Sequence, residues 1–192
     1  MARGYTMIDL LVAIALFATA AAMAVPITWS SVEYSRTSGA ARYVAGQLAL
    51  SRMEAVRRSA FVAIRFERYD GSYRLTRYID GNGNGVRRSD VDRQVDRLDG
   101  APTQIEHHYS GVAFGIYEGV PAVTPGEEAS DEAPVRIGRS EFLSFSPLGS
   151  ATSATMYLRG RGGHQFAVRV LGVTGRITVL RFDRQNRRWV SR

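Results

Sequence analysis

The residues best suited to chemistry are Asp80-Gly81-Asn82-Gly83-Asn84-Gly85. They match the first half of an EF-hand-type calcium loop: side-chain oxygens at positions 1, 3 and 5, glycine at 6 for the sharp turn. Val86 would offer its carbonyl at position 7; position 12 is Val91, so one of the flanking acids, Asp90 or Asp92, would supply the closing carboxylate. The same residues also read as a Gly/Asn-rich turn that needs positive φ and no metal. Calcium, if bound, would be a structural ion; no other cofactor is required. A second concentration of chemistry is basic. The segment 159–192 carries nine arginines and one acid, Asp183, for +8 in 34 residues, whereas the rest of the chain sums to −1. Arg181, Arg184, Arg187, Arg188 and Arg192 could fork onto phosphates, and Trp189 could stack on a base, which makes DNA a candidate partner. The same arginines also fit the solvent faces of strands and a solvated tail.

Other chemistry is excluded or thin. The 192 residues include no cysteine, so there is no disulfide framework or thiolate site. Every one of the 25 basic residues is arginine, which rules out a Schiff-base lysine and a Walker lysine. His107 and His108 read as neighbours on a strand and would point to opposite faces, so they form no chelating pair. With His164 they complete the histidines, and no G-x-S-x-G elbow occurs. The expectation is a protein that is not an enzyme.

The elements that must position these residues follow from periodicity. Residues 10–27 form an uncharged run of 18, rich in Ala, Leu and Val. As a helix it would span roughly 27 Å, enough for a bilayer core, and Arg3 places its N-terminal end in the cytoplasm. A buried core helix, a cleaved secretory signal ending at Ala22-Met23-Ala24 and a plain signal anchor are other readings of this run. None of them explains Asp9 at its edge. Residues 29–58 continue as an amphipathic helix, with Ala41, Val44, Ala45, Leu48 and Ala55 on one stripe. Gly39 and Gly46 weaken it by about 1 kcal/mol each.

The period then changes to two. Residues 62–67 alternate, Asp70-Gly71 marks a turn, and 73–79 return. Further strands are expected at 104–109, 112–117, 141–146, 155–158, 165–171 and 176–183, with a short turn at Val173-Thr174-Gly175. The loop 118–133 holds five acids and no base, and reads as solvated and mobile. The fold class is α+β: one long helix, then antiparallel β-structure.

Two motifs carry a resemblance. Gly4-Tyr5-Thr6-Met7-Ile8-Asp9-Leu10-Leu11-Val12 resembles the N-terminal signal of type IV prepilins and type II secretion pseudopilins. Phe145-Ser146-Pro147-Leu148-Gly149, followed by Thr155–Leu158 and Gly175-Arg176-Ile177, is similar to the C-terminal domain of the GspH/FimT family. That family comprises minor pseudopilins and minor pilins. The resemblance implies a leader at 1–4, cut after Gly4 by a prepilin peptidase, and N-methylation of Tyr5. It implies a filament-core and transmembrane helix at 5–28, kinked at Pro26. Residues 29–58 would continue the helix, and 59–192 would form a β-rich periplasmic head. Asp9 stands where the family usually has glutamate, whose carboxylate pairs with a neighbouring subunit's N-terminal amine; aspartate keeps that charge on a shorter arm. The implied location is the inner membrane, single-pass, then the filament. The implied partners are other pilins or pseudopilins, the peptidase, the inner-membrane assembly platform and the lipid bilayer. The implied function is filament assembly in protein secretion or pilus biogenesis, with DNA uptake as the alternative.

Overall fold

The computed structural model describes residues 6–127, 129–138 and 140–191, with the side chains of 23–27 set aside. Helix α1 runs from Met7 to Arg58, about 78 Å of helix. Thr6 caps it: its Oγ1 accepts from the Asp9 N–H at 3.3 Å, and Asp9 Oδ2 accepts from the Thr6 N–H at 2.9 Å. This reciprocal pair satisfies N–H groups that the first turn leaves without partners. The other end closes at Ser59 in the left-handed conformation, with Arg57 and Arg58 in the last turn, where cations suit the helix dipole.

The two halves of α1 differ. Residues 28–58 carry a one-sided stripe, and Ala40, Ala41, Val44, Leu48 and Ala55 are fully buried. The first half is apolar on every face, and its described side chains are exposed throughout. Among the described residues no helix is long and apolar enough to cross a membrane; the uncharged run 10–27 is described in side-chain detail only as far as 22. The helix continues through position 26, but the side chain of Pro26, and with it the expected kink, lies outside the described residues, as do Gly4 and Tyr5.

Two antiparallel sheets complete the head. The first contains β1 (Val62–Tyr69), β2 (Ser72–Ile79), β3 (Arg97–Leu98), β4 (Thr103–Gln104) and β7 (Phe142–Phe145), in the order β3-β2-β1-β7 with β4 also on β2. Asp70 and Gly71 both have positive φ, 51° and 73°, so β1 and β2 join by the expected two-residue turn. The second sheet contains β5 (Val112–Phe114), β6 (Val135–Ile137), β8 (Ala154–Gly160), β9 (Gln165–Leu171), β10 (Arg176–Asp183) and β11 (Arg188–Ser191). Its order is β11-β10-β9-β8-β5, with β6 also on β8. Helix α1 packs on β8, β9, β10 and β1. Val44, Leu48, Val62, Phe145, Met156, Leu158 and Phe166 share one core. Each such side chain contributes about 1.5–3 kcal/mol by leaving water. Gly39 sits on the helix where a Cβ would come 2.8 Å from the Tyr109 ring. The helix-weakening glycine thus permits close packing.

Four expectations need correction. Residues 104–109 are not a strand: β4 ends at Gln104, and Ile105–His108 form a short helix, α3. His107 and His108 therefore lie on one exposed helical turn. The strand expected at 112–117 ends at Phe114. The C-terminal tail folds back as β11, pairing Phe182 with Trp189. The loop 118–133 is docked, not free. Its Val120, Val123 and Ala129 pack on a small core of Ile116, Tyr157 and Ala167, and the Val123 N–H donates to the Tyr157 hydroxyl at 2.9 Å. Asp131 accepts from the Ile116 N–H and pairs with Arg159 at 2.9 Å. The described acids Glu118, Glu127, Asp131 and Glu132 are exposed on the loop's rim, while its few valines carry the docking.

Candidate functional site

Three sites emerge from the chain. The first is the start of α1. The Asp9 carboxylate is engaged by its own chain's Thr6, through the N–H and through the hydroxyl at 2.7 Å. On either side of it Met7, Leu16 and Phe17 are 79%, 65% and 78% exposed. A stretch that is apolar all round must bury itself against lipid or other helices. What this arrangement can do is associate, with Asp9 as the one charge to be matched.

The second is the loop between β2 and helix α2 (Arg88–Asp92). Asp80 Oδ1 accepts from the N–H groups of Asn82 at 3.0 Å and Gly83 at 2.8 Å, and its Oδ2 accepts from Gly85 at 2.7 Å. The Asn84 amide donates to Asp90 Oδ2 at 3.1 Å, and Arg93 pairs with Asp90 Oδ1 at 2.7 Å. Those two neighbours, the amide first, hold the Asp90 carboxyl below the ordinary carboxylate range. The structure thus brings Asp80, Asn82, Asn84 and Asp90 together, while the Val86 side chain is buried with Ala63 and Phe142. Asp96, which spacing did not reveal, closes the loop by accepting from Gly81 at 3.1 Å and Arg87 at 2.9 Å. Its only sequence signal was an acid beyond the loop's span. A Cβ at Gly81 would meet the Val95 carbonyl oxygen at 2.0 Å. The loop's own N–H groups fill the carboxylates of Asp80 and Asp96. Among the described residues no three His, Cys, Asp or Glu side chains are grouped to hold a metal ion.

The third is the basic hairpin β10–β11. Arg181, Arg184, Arg187 and Arg188 are exposed, and Arg192 lies outside the described residues. Trp189 is half-buried and already engaged within the head. Its ring packs 5.8 Å from Tyr157 and 5.3 Å from Phe182, and its Nε1–H donates to the Pro121 carbonyl at 2.9 Å. Arg187 donates to the Gly119 carbonyl, so this hairpin is what clamps the acidic loop. Arg52 was also missed: from α1 it donates to the carbonyls of Gly149 at 3.0 Å and Thr174 at 3.1 Å. That ties the turn of the Pro147-Leu148-Gly149 motif to the turn before the Gly175-Arg176-Ile177 motif.

A long helix with a bare apolar half, docked through its second half on antiparallel sheets, defines a pilin-like subunit. A model of the family described as type II transport protein GspH matches residues 40–175. The chain belongs to that family, as a GspH-type pseudopilin. The chain is also similar to the minor pseudopilin EpsH of the Vibrio cholerae type 2 secretion system. Identity there is 16%, over 76% of this chain and 97% of that one, with a TM-score of 0.47. No curated protein matches.

Proposed function

We propose that the chain is a minor pseudopilin of a type II secretion pseudopilus, anchored in the inner membrane by 10–27 until it enters the filament. The observation that carries this is the contrast within α1: an apolar half with no partner in its own chain, continuous with a half built into the head. A helix of that kind is stable in lipid and equally stable among the helices of a filament core, so extraction into the filament exchanges one apolar surround for another. A prepilin peptidase would remove 1–4 and expose Tyr5 for methylation. Asp9 would then meet the amine of a neighbouring subunit, an attraction strengthened by the absence of water. For that encounter Asp9 must exchange its Thr6 contacts for the incoming amine. The inner-membrane assembly platform would supply the push. No residue constellation here points to catalysis. DNA uptake and pilus biogenesis are weaker readings of the same family, since the aromatic that would serve DNA is used inside the head.

The test is complementation of secretion in cells lacking the chain. Asp9→Glu should restore secretion and Asp9→Ala should not, with both proteins present at equal level in the membrane. Full secretion with Asp9→Ala would overturn the pairing role. Normal secretion in the absence of the chain would overturn the assignment to secretion.

A further inference from the structure

The bare half of α1 leaves the head at one end only. Near that end Gly160 lies against Thr37, where a Cβ would come 1.8 Å from Thr37 Oγ1, and the Tyr34 ring lies 5.4 Å from His164. At the opposite end Arg52 reaches the β9–β10 turn, about 22 Å further along the helix. So the β8–β9 and β10–β11 turns lie together beside the emerging helix. The C-terminal arginines gather there: Arg161, Arg181, Arg184, Arg187 and Arg188, all exposed. None of the five takes part in the ion pairs of the described residues. The acids nearby are engaged or outnumbered. Glu33 is buried and pairs with Arg36 at 3.1 Å. Asp183 accepts from the Gln185 and Asn186 N–H groups and from the Asn186 amide. Glu118 is exposed beside Gly119, which Arg187 contacts. A cleft of about 340 Å³ opens between Tyr34 and the β10–β11 turn, with His164, Arg181 and Arg184 on its walls. Trp29, 65% exposed, stands on the helix between this rim and the apolar run.

Position 27 to Tyr34 is about 10 Å of helix. The headgroup zone of a leaflet is roughly 5–8 Å deep, and charges act across about 8–10 Å at physiological salt. If 10–27 spans the bilayer, this rim faces the headgroups, with Trp29 at the depth where aromatic side chains anchor. We propose that the helix-emergence end of the head is a docking surface for anionic phospholipid headgroups, holding the head on the bilayer before the subunit enters the filament. The proposal rests on the membrane-anchored reading above. Two observations choose lipid over DNA. The basic surface is continuous with the apolar helix, and Trp189 is turned inward.

The chain has no cysteine, so one introduced thiol can carry a single fluorophore. The full-length chain is reconstituted into vesicles of phosphatidylcholine alone or mixed with phosphatidylglycerol, labelled at Gln185→Cys or, as the distal control, Val173→Cys. Quenching by a headgroup nitroxide is read. The expected result is strong quenching at 185 only in anionic vesicles, reversed by high salt, with the 173 label unaffected. Substituting Arg161, Arg181 and Arg184 by Gln should weaken the contact by roughly fivefold for each arginine, with the melting temperature unchanged. Equal quenching at 185 in both vesicle types, with the chain still floating with the lipid, overturns the docking surface and leaves the anchor intact. A chain that fails to float with either vesicle overturns the anchor and the docking surface with it. Arginine-dependent binding of a labelled DNA duplex, without anionic-lipid quenching, would assign the surface to DNA instead.

Discussion

In the first half of α1, Leu11, Leu16 and Phe17 are 55–78% exposed; in the second, Val44, Leu48 and Ala55 are wholly buried. One continuous helix thus serves two surrounds. The second half is stabilised by tertiary packing, and its stripe is the pattern expected of a helix on a sheet. The first half has helix-forming composition, and its described side chains are exposed, so on the proposed reading its stabilisation comes from lipid or neighbouring subunits. Damage to one half should therefore appear in folding, and damage to the other in assembly.

The largest effect tests this directly. Leu48→Ala should cost about 2–5 kcal/mol of head stability through the cavity it leaves, whereas Leu16→Ala should leave the head's unfolding in detergent unchanged while reducing filament incorporation. Equal destabilisation by both would break the comparison. Next come two glycines, Gly160 on the buried side and Gly46 on the exposed face of α1. Gly160→Ala forces a Cβ onto Thr37 and should cost about 1–3 kcal/mol. Gly46→Ala, where nothing lies within 4 Å of the new Cβ, should stabilise by roughly 0.5–1 kcal/mol. Thermal unfolding of the pair checks the sign.

A smaller effect concerns charge. Both Glu106 oxygens are buried with no hydrogen bond of good geometry, and burial pushes its carboxyl above the ordinary glutamate value, only partly offset by its own nearby N–H, His107 and Ser72. Below the ordinary value both folded and unfolded chains are protonated and there is no penalty. As pH rises past it, the unfolded chain ionises first and the native state loses stability, until the folded carboxyl ionises too. Glu106→Gln should therefore raise the melting temperature at pH 7 and leave it unchanged in acid; an equal shift at both pH values would contradict the burial cause. The smallest effect belongs to the 80–96 loop. Its carboxylates already accept N–H groups, so chelator should not move the melting temperature and calcium should give no heat on titration. A calcium-dependent rise would show that Asp80, Asn82, Asn84 and Asp90 rearrange into a metal site.

The parts legible in the sequence were those whose signals are local. Strands β9 and β10 follow from the alternation of Phe166, Val168 and Val170 and from the glycine turn between them; the β1–β2 hairpin follows from Asp70-Gly71; and the long helix follows from its stripe. Contacts distant in sequence were not legible. Trp189 reaches Pro121 across 68 positions, and that contact both folds the tail into β11 and pins the acidic loop. Asp96 closes a loop begun 15 residues earlier at Gly81. Helix α3 has only four residues, too few for periodicity to separate it from a strand. The candidate site divides in the same way. The N-terminal motif is contiguous and so offers a signal in sequence alone, while the basic cleft beside the emerging helix needed the sheet to bring Gly163 and His164 beside Arg184.

The central claim is that the N-terminus is a prepilin signal feeding an assembly helix. Its most direct test is the intact mass of the chain purified from cells that contain a prepilin peptidase. The account predicts loss of residues 1–4 with one methyl group on Tyr5, and an uncut chain for Gly4→Ala. A wild-type chain that keeps its first four residues, or that is cut after Ala24 instead, would contradict it.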